Sequence, residues 1–269
     1  MDNREKPDSR LMPVLFVGHG TPMNAIEDNK WSRGFQNLAS LIPKPKAILS
    51  ISAHWFLDET LITSNLSPRT IHDFGGFPDE LYEIQYPVNG DPILMHKVIE
   101  LIGKNKVIPN DKWGIDHGSW SVLRRMYPKA DHPTIQLSIN YLLSNQEHYE
   151  MGKALSSLRK EGYLIIGTGN ITHNLNYAFS HIFRGDNTTP DWAIEFDNMV
   201  EDALVKKQHL NLINALDTNN GMLSHPTPDH YLPLLYCVGA SVESDIPEFP
   251  IMGFDLGSLS MRAVLFNTK

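Results

Sequence analysis

The stretch AILSISAHW, residues 47–55, is a short apolar run that ends in a histidine. Its length and its aliphatic residues are typical of a buried central strand. A helix is disfavoured, because Pro43 and Pro45 interrupt the chain just before the run. The stretch therefore predicts a strand over 46–53 that delivers His54 at its carboxyl end.

A second run, PVLFVGHG at residues 13–20, has the same design: an apolar strand leads into His19, which stands between two glycines. Ligands of open α/β sheets bind outside the carboxyl ends of the strands. Two adjacent strands of this kind would place two imidazoles at one sheet edge. Since imidazole is a natural ligand of zinc, iron, copper and nickel, the pair predicts the beginning of a metal site.

Three more histidines have a related context. A predicted strand at 163–168 ends in a glycine turn that carries His173, His117 is followed by a glycine, and His230 is expected in the first turns of a helix that begins with prolines. Three protein ligands with open positions would make a catalytic site. A single histidine of this kind is more often a hydrogen-bonded structural residue, and no compact His-Glu-x-x-His pattern is present. From spacing alone, both interpretations stay open.

Predicted strands and helices alternate along the chain, which favours a single-domain α/β fold. We expect a mostly parallel or mixed central sheet flanked by helices, spanning residues 11–269, with residues 1–10 as a flexible tail. Besides those named above, the predicted strands are 58–64 (an edge strand), 134–139, 249–254 and 258–266. The predicted helices are 31–42, 91–103, 145–161 and 191–206. The segment 66–90, rich in Pro, Gly and aromatic residues, is predicted to be a functional loop.

Composition excludes several classes of protein. The 269 residues include one cysteine, Cys237, so neither an intrachain disulfide framework nor a cysteine-based zinc finger is possible. The net charge of -8, without a Lys/Arg stripe, argues against nucleic acid. No apolar run reaches membrane-spanning length, and residues 1–10 lack the apolar core of a signal peptide. We therefore expect a cytoplasmic protein without nucleic-acid or membrane partners, and the oligomeric state is not predicted.

Six motifs follow one another along the chain: VGHGTPMN at 17–24, SAHW at 52–55, HDFGGFP at 72–78, GIDHGSW at 114–120, GNITHNL at 169–175 and PTPDHYLPL at 226–234. In this order they resemble the 4,5-DOPA extradiol dioxygenase family of class III (LigB-type) ring-cleaving enzymes. The similarity covers roughly residues 12 to 262. Six ordered motifs are far more specific than any one of them. The resemblance implies a LigB-like fold and extradiol cleavage of a catechol ring, such as that of DOPA, with O2 to give a muconic semialdehyde.

The resemblance also implies roles for individual residues. His19, His54 and His230 match the metal ligands of the family. His173 matches a histidine at the metal that acts as acid/base and is sometimes counted as a ligand, and His117 matches a histidine in the substrate pocket. One divalent metal ion per chain is implied, with zinc in isolated relatives and Fe(II) for ring cleavage. The loop residues predicted to line the catechol pocket are His72, Phe74 and Phe77.

Proteins with other functions share the first strand motif or the fold. Sirohydrochlorin-type chelatases also open with an apolar strand into Gly-His-Gly, and a non-enzymatic binding protein could share the LigB-type fold. A zinc hydrolase is chemically possible, but no glutamate is an obvious general base. The stretch Ser52–Trp55 and the motif around His230 favour the dioxygenase.

Overall fold

The apolar runs of the sequence form the centre of an eight-stranded sheet. The computed structural model describes residues 11–186 and 188–268, so the predicted tail at 1–10 lies outside the described residues. The strands within those ranges are β1 (Val14–Gly18), β2 (Ala47–Leu57), β3 (Leu61–Thr63), β4 (Ile108–Asn110), β5 (Thr134–Asn140), β6 (Tyr163–Gly169), β7 (Asp245–Ile251), β8 (Phe254–Asp255), β9 (Leu259–Ser260) and β10 (Ala263–Thr268).

Helices connect these strands and cover the sheet. In the described part of the chain they are α1 (Lys30–Leu38), α2 (Asp79–Tyr82), α3 (Pro92–Ile102), α4 (His117–Met126), α5 (Asn145–Leu155), α6 (Leu175–Arg184), α7 (Asp191–Val205), α8 (His209–Ile213), α9 (Asn219–Ser224) and α10 (Leu232–Ala240). Short 3-10 turns extend α1 and α5 and account for the longer helices predicted there. Helix α6 was not predicted from the sequence.

The sheet is mixed, as expected, with strand order β4-β3-β5-β2-β6-β1-β10-β7. The four middle strands β5, β2, β6 and β1 are parallel, while β10 pairs antiparallel with β1 and β7. The carboxyl ends of β5, β2, β6 and β1 therefore lie at the same edge of the sheet. The prediction of an edge strand at 58–64 is wrong, because β3 lies between β5 and β4, and β4 forms the edge.

Strand β2 is longer than predicted and irregular at its end. It continues to Leu57, so His54 lies within the strand instead of after it. Its pairing with β6 stops at Ser52, and its register with β5 shifts between Ile51 and Phe56. Such a bulge bends the strand and re-aims the side chains it carries. The irregularity lies where the strand presents His54.

Alternate residues of the central strands point to opposite faces, and each face has its own core. Val14 and Phe16 of β1 belong to one cluster, with apolar residues of α3, α5, α7 and α10. Leu15 and Val17 belong to the other, with apolar residues of α1 and α4. Burial on both faces explains why these strands read as continuous apolar runs. No helix among the described residues is long and apolar enough to cross a membrane.

Candidate metal centre

Four of the predicted histidines converge at the carboxyl edge of the sheet. His19 follows β1, His54 lies in the bulged end of β2, and His173 follows β6. The ring centroids of His19, His54 and His230 form a nearly equilateral triangle, with sides of 5.0, 5.1 and 5.2 Å. His173 stacks on His230 with ring centroids 3.4 Å apart. Neighbouring parallel strands therefore produce the cluster.

His230 does not lie in the first turns of a helix, which corrects the prediction. It stands in a turn just before α10, whose first residue is Leu232. The carbonyl O of His230 accepts a hydrogen bond from the backbone N–H of Asn170 at 2.9 Å. A Cβ atom on Gly169 would lie 2.1 Å from that carbonyl O, so the turn can approach β6 only because residue 169 is a glycine.

His117, predicted to line the substrate pocket, is the first residue of α4 and joins the cluster directly. Its ring centroid lies 3.9 Å from that of His54. One nitrogen from each of His19, His54 and His117 fits within a 4.8 Å group. A Cβ on Gly118 would come within 2.7 Å of the His54 ring, so this glycine makes room for the contact. All five histidines therefore belong to one site.

The nitrogen atoms of the cluster fit a metal ion. The Nε2 atoms of His19 and His54 lie 3.1 Å apart. Two ligands of one tetrahedral zinc, each about 2.0–2.1 Å from it, would be separated by roughly 3.3 Å. Nδ1 of His19 and Nε2 of His230 are buried and have no hydrogen-bond partner among the described residues. Because unpaired buried nitrogens are costly, a bound cation is a natural partner for part of this set.

Two carboxylates orient the imidazoles. Oδ2 of Asp73 lies 3.2 Å from Nδ1 of His54 and 3.0 Å from Nδ1 of His117, and Oδ1 of Asp73 accepts from the backbone N–H of His117 at 3.0 Å. Asp229 contacts Nδ1 of His230. A carboxylate on the outer nitrogen of a metal-binding histidine fixes the ring and raises its basicity. His54 and His230 both have this arrangement.

The protonation states also suit metal binding. Burial, followed by the neighbouring histidines, holds the pKa of His19 well below its usual value. Burial lowers the pKa of His117 to about 4. Burial alone would raise the pKa of Asp73, but its contacts with His117 and His54 lower it. At neutral pH His19 and His117 are therefore neutral imidazoles, which are the ligand form, and Asp73 is ionised. Burial acts to lower the pKa of His54 as well, but its hydrogen bond with Asp73 and the nearby carboxylates raise it.

A buried polar network holds the two elements that carry His54 and His117. The carboxylate of Asp116 caps α4, accepting from the backbone N–H of Ser119 at 3.2 Å. It also accepts from Ser52 Oγ at 2.7 Å and from Gln136 Nε2 at 2.7 Å. Oε1 of Gln136 in turn accepts from the backbone N–H of Asp116 at 2.8 Å. The network ties β2, β5 and the start of α4 together beneath the histidines.

A cavity of about 730 Å³ opens from the histidine cluster. Phe74 and Phe77 line it, and Phe74 meets the ring of His117 edge-on, with centroids 5.3 Å apart. His72 is not part of this lining. Its Nε2 lies 3.0 Å from the carbonyl O of Ile84, and its ring packs against Phe74 and Trp120. The structure therefore places His72 behind the cavity wall.

Sequence reasoning missed three residues that organise the site: Asp73, Asp116 and Gln136. Asp73 and Asp116 lie inside the quoted motifs, but each stands beside a more conspicuous histidine or phenylalanine. An aspartate one position before a helical segment is a capping signal that could have identified Asp116. Gln136 carries a weaker signal, since it is one of several polar residues that alternate with apolar ones along β5.

Comparison with known proteins agrees with this geometry. Residues 13–254 match the family described as the catalytic LigB subunit of aromatic ring-opening dioxygenase. The chain is 45% identical over 261 residues to a 4,5-DOPA dioxygenase extradiol of Escherichia coli (strain K12), which covers 95% of each protein. It is 37% identical over 271 residues to a protein of the same name from Beta vulgaris, covering 97% of this chain and 98% of that one.

A solved structure shows the same fold. The crystal structure of an uncharacterized protein from Escherichia coli K12 superposes with a TM-score of 0.82 at 41% sequence identity, covering 94% of this chain and 99% of the other. The matched region contains the strands that carry His19, His54 and His173 and the turn that carries His230. The chain therefore belongs to the LigB family of aromatic ring-opening dioxygenases.

Proposed function

We propose that this enzyme performs extradiol cleavage of a catechol with O2, and that its substrate resembles DOPA. The observation that carries the proposal is the cluster of five histidines at the floor of an otherwise largely apolar cavity. The names of the bacterial and plant relatives support DOPA as the substrate type. A catechol ring fits this environment, because its hydroxyls suit the histidine end and its carbon frame suits the aromatic wall.

We assign the metal to His19, His54 and His230, with His173 stacked beside His230. Two features support His230: its buried Nε2 has no partner among the described residues, and Asp229 holds its Nδ1. Bound Fe(II) would supply both the Lewis acidity that favours the ionised catechol and the redox chemistry that O2 requires, whereas zinc would supply Lewis acidity alone. We expect one ion per chain, zinc as isolated and Fe(II) for ring cleavage.

His117 and His173 are the proposed acid–base groups. Burial lowers the pKa values of both imidazoles, so each is neutral at pH 7 and can accept a proton from a catechol hydroxyl. Oδ2 of Asp73 lies 3.0 Å from Nδ1 of His117, so we assign the proton transfer to Nε2. Phe74 and Phe77 flank the catechol ring and exclude water from it. The same imidazoles return protons as the product forms.

The experiment is a comparison of two metal forms of one preparation. The protein is stripped of metal and loaded anaerobically with Fe(II) or with Zn(II), and L-DOPA and air-saturated buffer are then added. We expect O2 uptake and a yellow ring-cleavage product only with Fe(II). Equal product with Zn(II), or no cleavage of any catechol despite stoichiometric iron, would contradict the proposal.

A further inference from the structure

Charged residues line the cavity at two separate places. Asp73 lies at the histidine end, whereas Glu27, Lys30 and Asp255 lie together at another part of the wall. Glu27 and Lys30 are exposed, while most of the histidines are buried, so this second group stands at the solvent end. We propose that it is a subsite for an α-amino acid head group, in which Asp255 and Glu27 bind the ammonium and Lys30 binds the carboxylate. This inference rests on the proposed ring cleavage in the same cavity.

Asp255 is held in place by its surroundings. It ends β8, which pairs with β9 in a tight hairpin, and its Oδ1 accepts from the backbone N–H of Leu256 at 3.1 Å. The side chain of Trp31 also hydrogen-bonds to it. Leu256 has a left-handed backbone with φ of 48°, which is unfavourable for leucine. Strained positions of this kind occur where a binding site requires a particular backbone path.

Lys30 is positioned by its contact with Trp31. Its Nζ lies 4.1 Å from the centroid of the Trp31 ring, which keeps the ammonium near the cavity wall. Among the described residues, Lys30 makes no ion pair within 4.0 Å with Glu27 or Asp255. Its charge therefore stays available for an incoming anion.

The balance of charge favours a zwitterion. Two carboxylates and one ammonium leave the subsite one negative charge in excess. Burial raises the pKa of Asp255, and so does Glu27, while Lys30 lowers it. An ammonium group would relieve the repulsion between the two carboxylates, and the accompanying carboxylate would meet Lys30. Neither an uncharged nor a purely anionic side chain satisfies all three residues.

The test uses four catechols that differ only in the substituent para to one hydroxyl. L-DOPA carries both charges, dopamine the ammonium, 3,4-dihydroxyphenylpropionate the carboxylate, and 4-methylcatechol neither. Binding to the zinc-loaded protein is measured by calorimetry without turnover, and kcat/KM is measured separately on the iron-loaded protein. The variants are Asp255→Asn, Glu27→Gln and Lys30→Met. The matched controls are Asp28→Asn and Lys44→Met, which change exposed residues outside the cavity lining.

We expect Asp255→Asn to weaken binding of the two ammonium-bearing catechols by about tenfold and to leave the other two within about twofold. Glu27→Gln should act in the same direction by a smaller factor, because Glu27 is exposed. Lys30→Met should weaken the two carboxylate-bearing catechols by about fivefold. The controls should leave all four affinities unchanged.

The inference is overturned if the wild type binds all four catechols equally, if each variant weakens all four alike, or if Asp255→Asn and Asp28→Asn behave the same. Its failure differs from that of the proposed function. Cleavage of 4-methylcatechol and DOPA with equal kcat/KM overturns the subsite and leaves ring cleavage standing. The predicted charge-dependent affinities without cleavage by the iron-loaded protein support the subsite and contradict the proposed function.

Discussion

The cavity has two parts that are built differently. The floor consists of His19, His54, His117, His173 and His230, each on a central strand, on a helix start or in a turn against the sheet. The outer wall includes Glu27 in a loop, Lys30 at the start of α1 and Asp255 in the β8–β9 hairpin, which are exposed or partly buried. Buried hydrogen bonds support the floor, whereas the hydrogen bond from Leu256 to Asp255 in the wall is only part-buried. We therefore expect the chemistry to depend on the sheet, and substrate selection to depend on the outer wall.

The largest effect should come from the floor. His54→Ala removes a proposed ligand, so we expect metal affinity to fall by at least about 100-fold and ring cleavage to disappear. Elemental analysis after dialysis measures the bound metal. The control is His96→Ala, an exposed histidine on α3, which should keep one ion per chain. Equal metal content in the two variants would mean that the floor is structural.

A second pair of variants distinguishes the proposed metal ligand His230 from the proposed proton-transfer residue His117. His230→Ala should lose metal, whereas His117→Ala should keep it and lose activity, because we assign His117 to proton transfer. Nitrogens of His19, His54 and His117 are also grouped closely enough to hold a metal ion, so His117 is the alternative third ligand. Metal loss in His117→Ala with retention in His230→Ala would exchange the two roles. Elemental analysis and O2 uptake on the same samples distinguish these outcomes.

The support beneath the floor can be broken without touching a histidine. Gln136→Leu leaves the buried carboxylate and backbone N–H of Asp116 without their amide partner. We expect the free energy of unfolding to fall by about 4 kcal/mol, since each unpaired buried group costs about 1–3 kcal/mol and charged groups cost more. Urea denaturation measures the change. A loss below about 1 kcal/mol would show that the network is not needed.

The stability of the packing between α5 and α10 should depend on pH. His148 on α5 is buried and contacts the hydroxyl of Tyr236 on α10 at 3.0 Å, and burial lowers its pKa to about 4. Between pH 6.5 and 4 the unfolded chain binds this proton more readily than the folded one, so stability falls as pH falls through that window. The difference corresponds to roughly 3 kcal/mol.

The variant His148→Gln isolates this contribution. Its urea midpoint should change less between pH 7 and 4 than that of the wild type. Some change should remain, because the other buried histidines titrate in both proteins. Parallel pH profiles for the two proteins would exclude His148 as a source of the acid sensitivity.

The smallest effect should come from the wall. Leu256→Gly relieves the left-handed backbone but removes an apolar side chain from the cavity lining. These contributions oppose each other, so we expect the stability to change by less than about 1 kcal/mol. KM for L-DOPA should rise a few-fold while kcat stays constant. A fall in kcat would mean that the wall and the floor are not independent.

Most of the fold could be predicted because buried parallel strands require continuous apolar runs. The strands that lead to His19, His54 and His173 were identified in this way. The bulge in β2, the interior place of β3 and the position of His230 before α10 could not be predicted, because each depends on pairing between distant segments. Local patterns carry no information about register.

The sequence by itself determined the α/β class, the apolar strands and the histidines that follow them, because these depend on hydrophobic periodicity and on residue chemistry. Only the tertiary structure decided that one carboxylate, Asp73, serves both His54 and His117, that Gln136 holds Asp116, and that Asp255 and Lys30 face one cavity. These are contacts between residues far apart in the chain. They exist because the sheet brings strand ends together, and no spacing along the sequence encodes them.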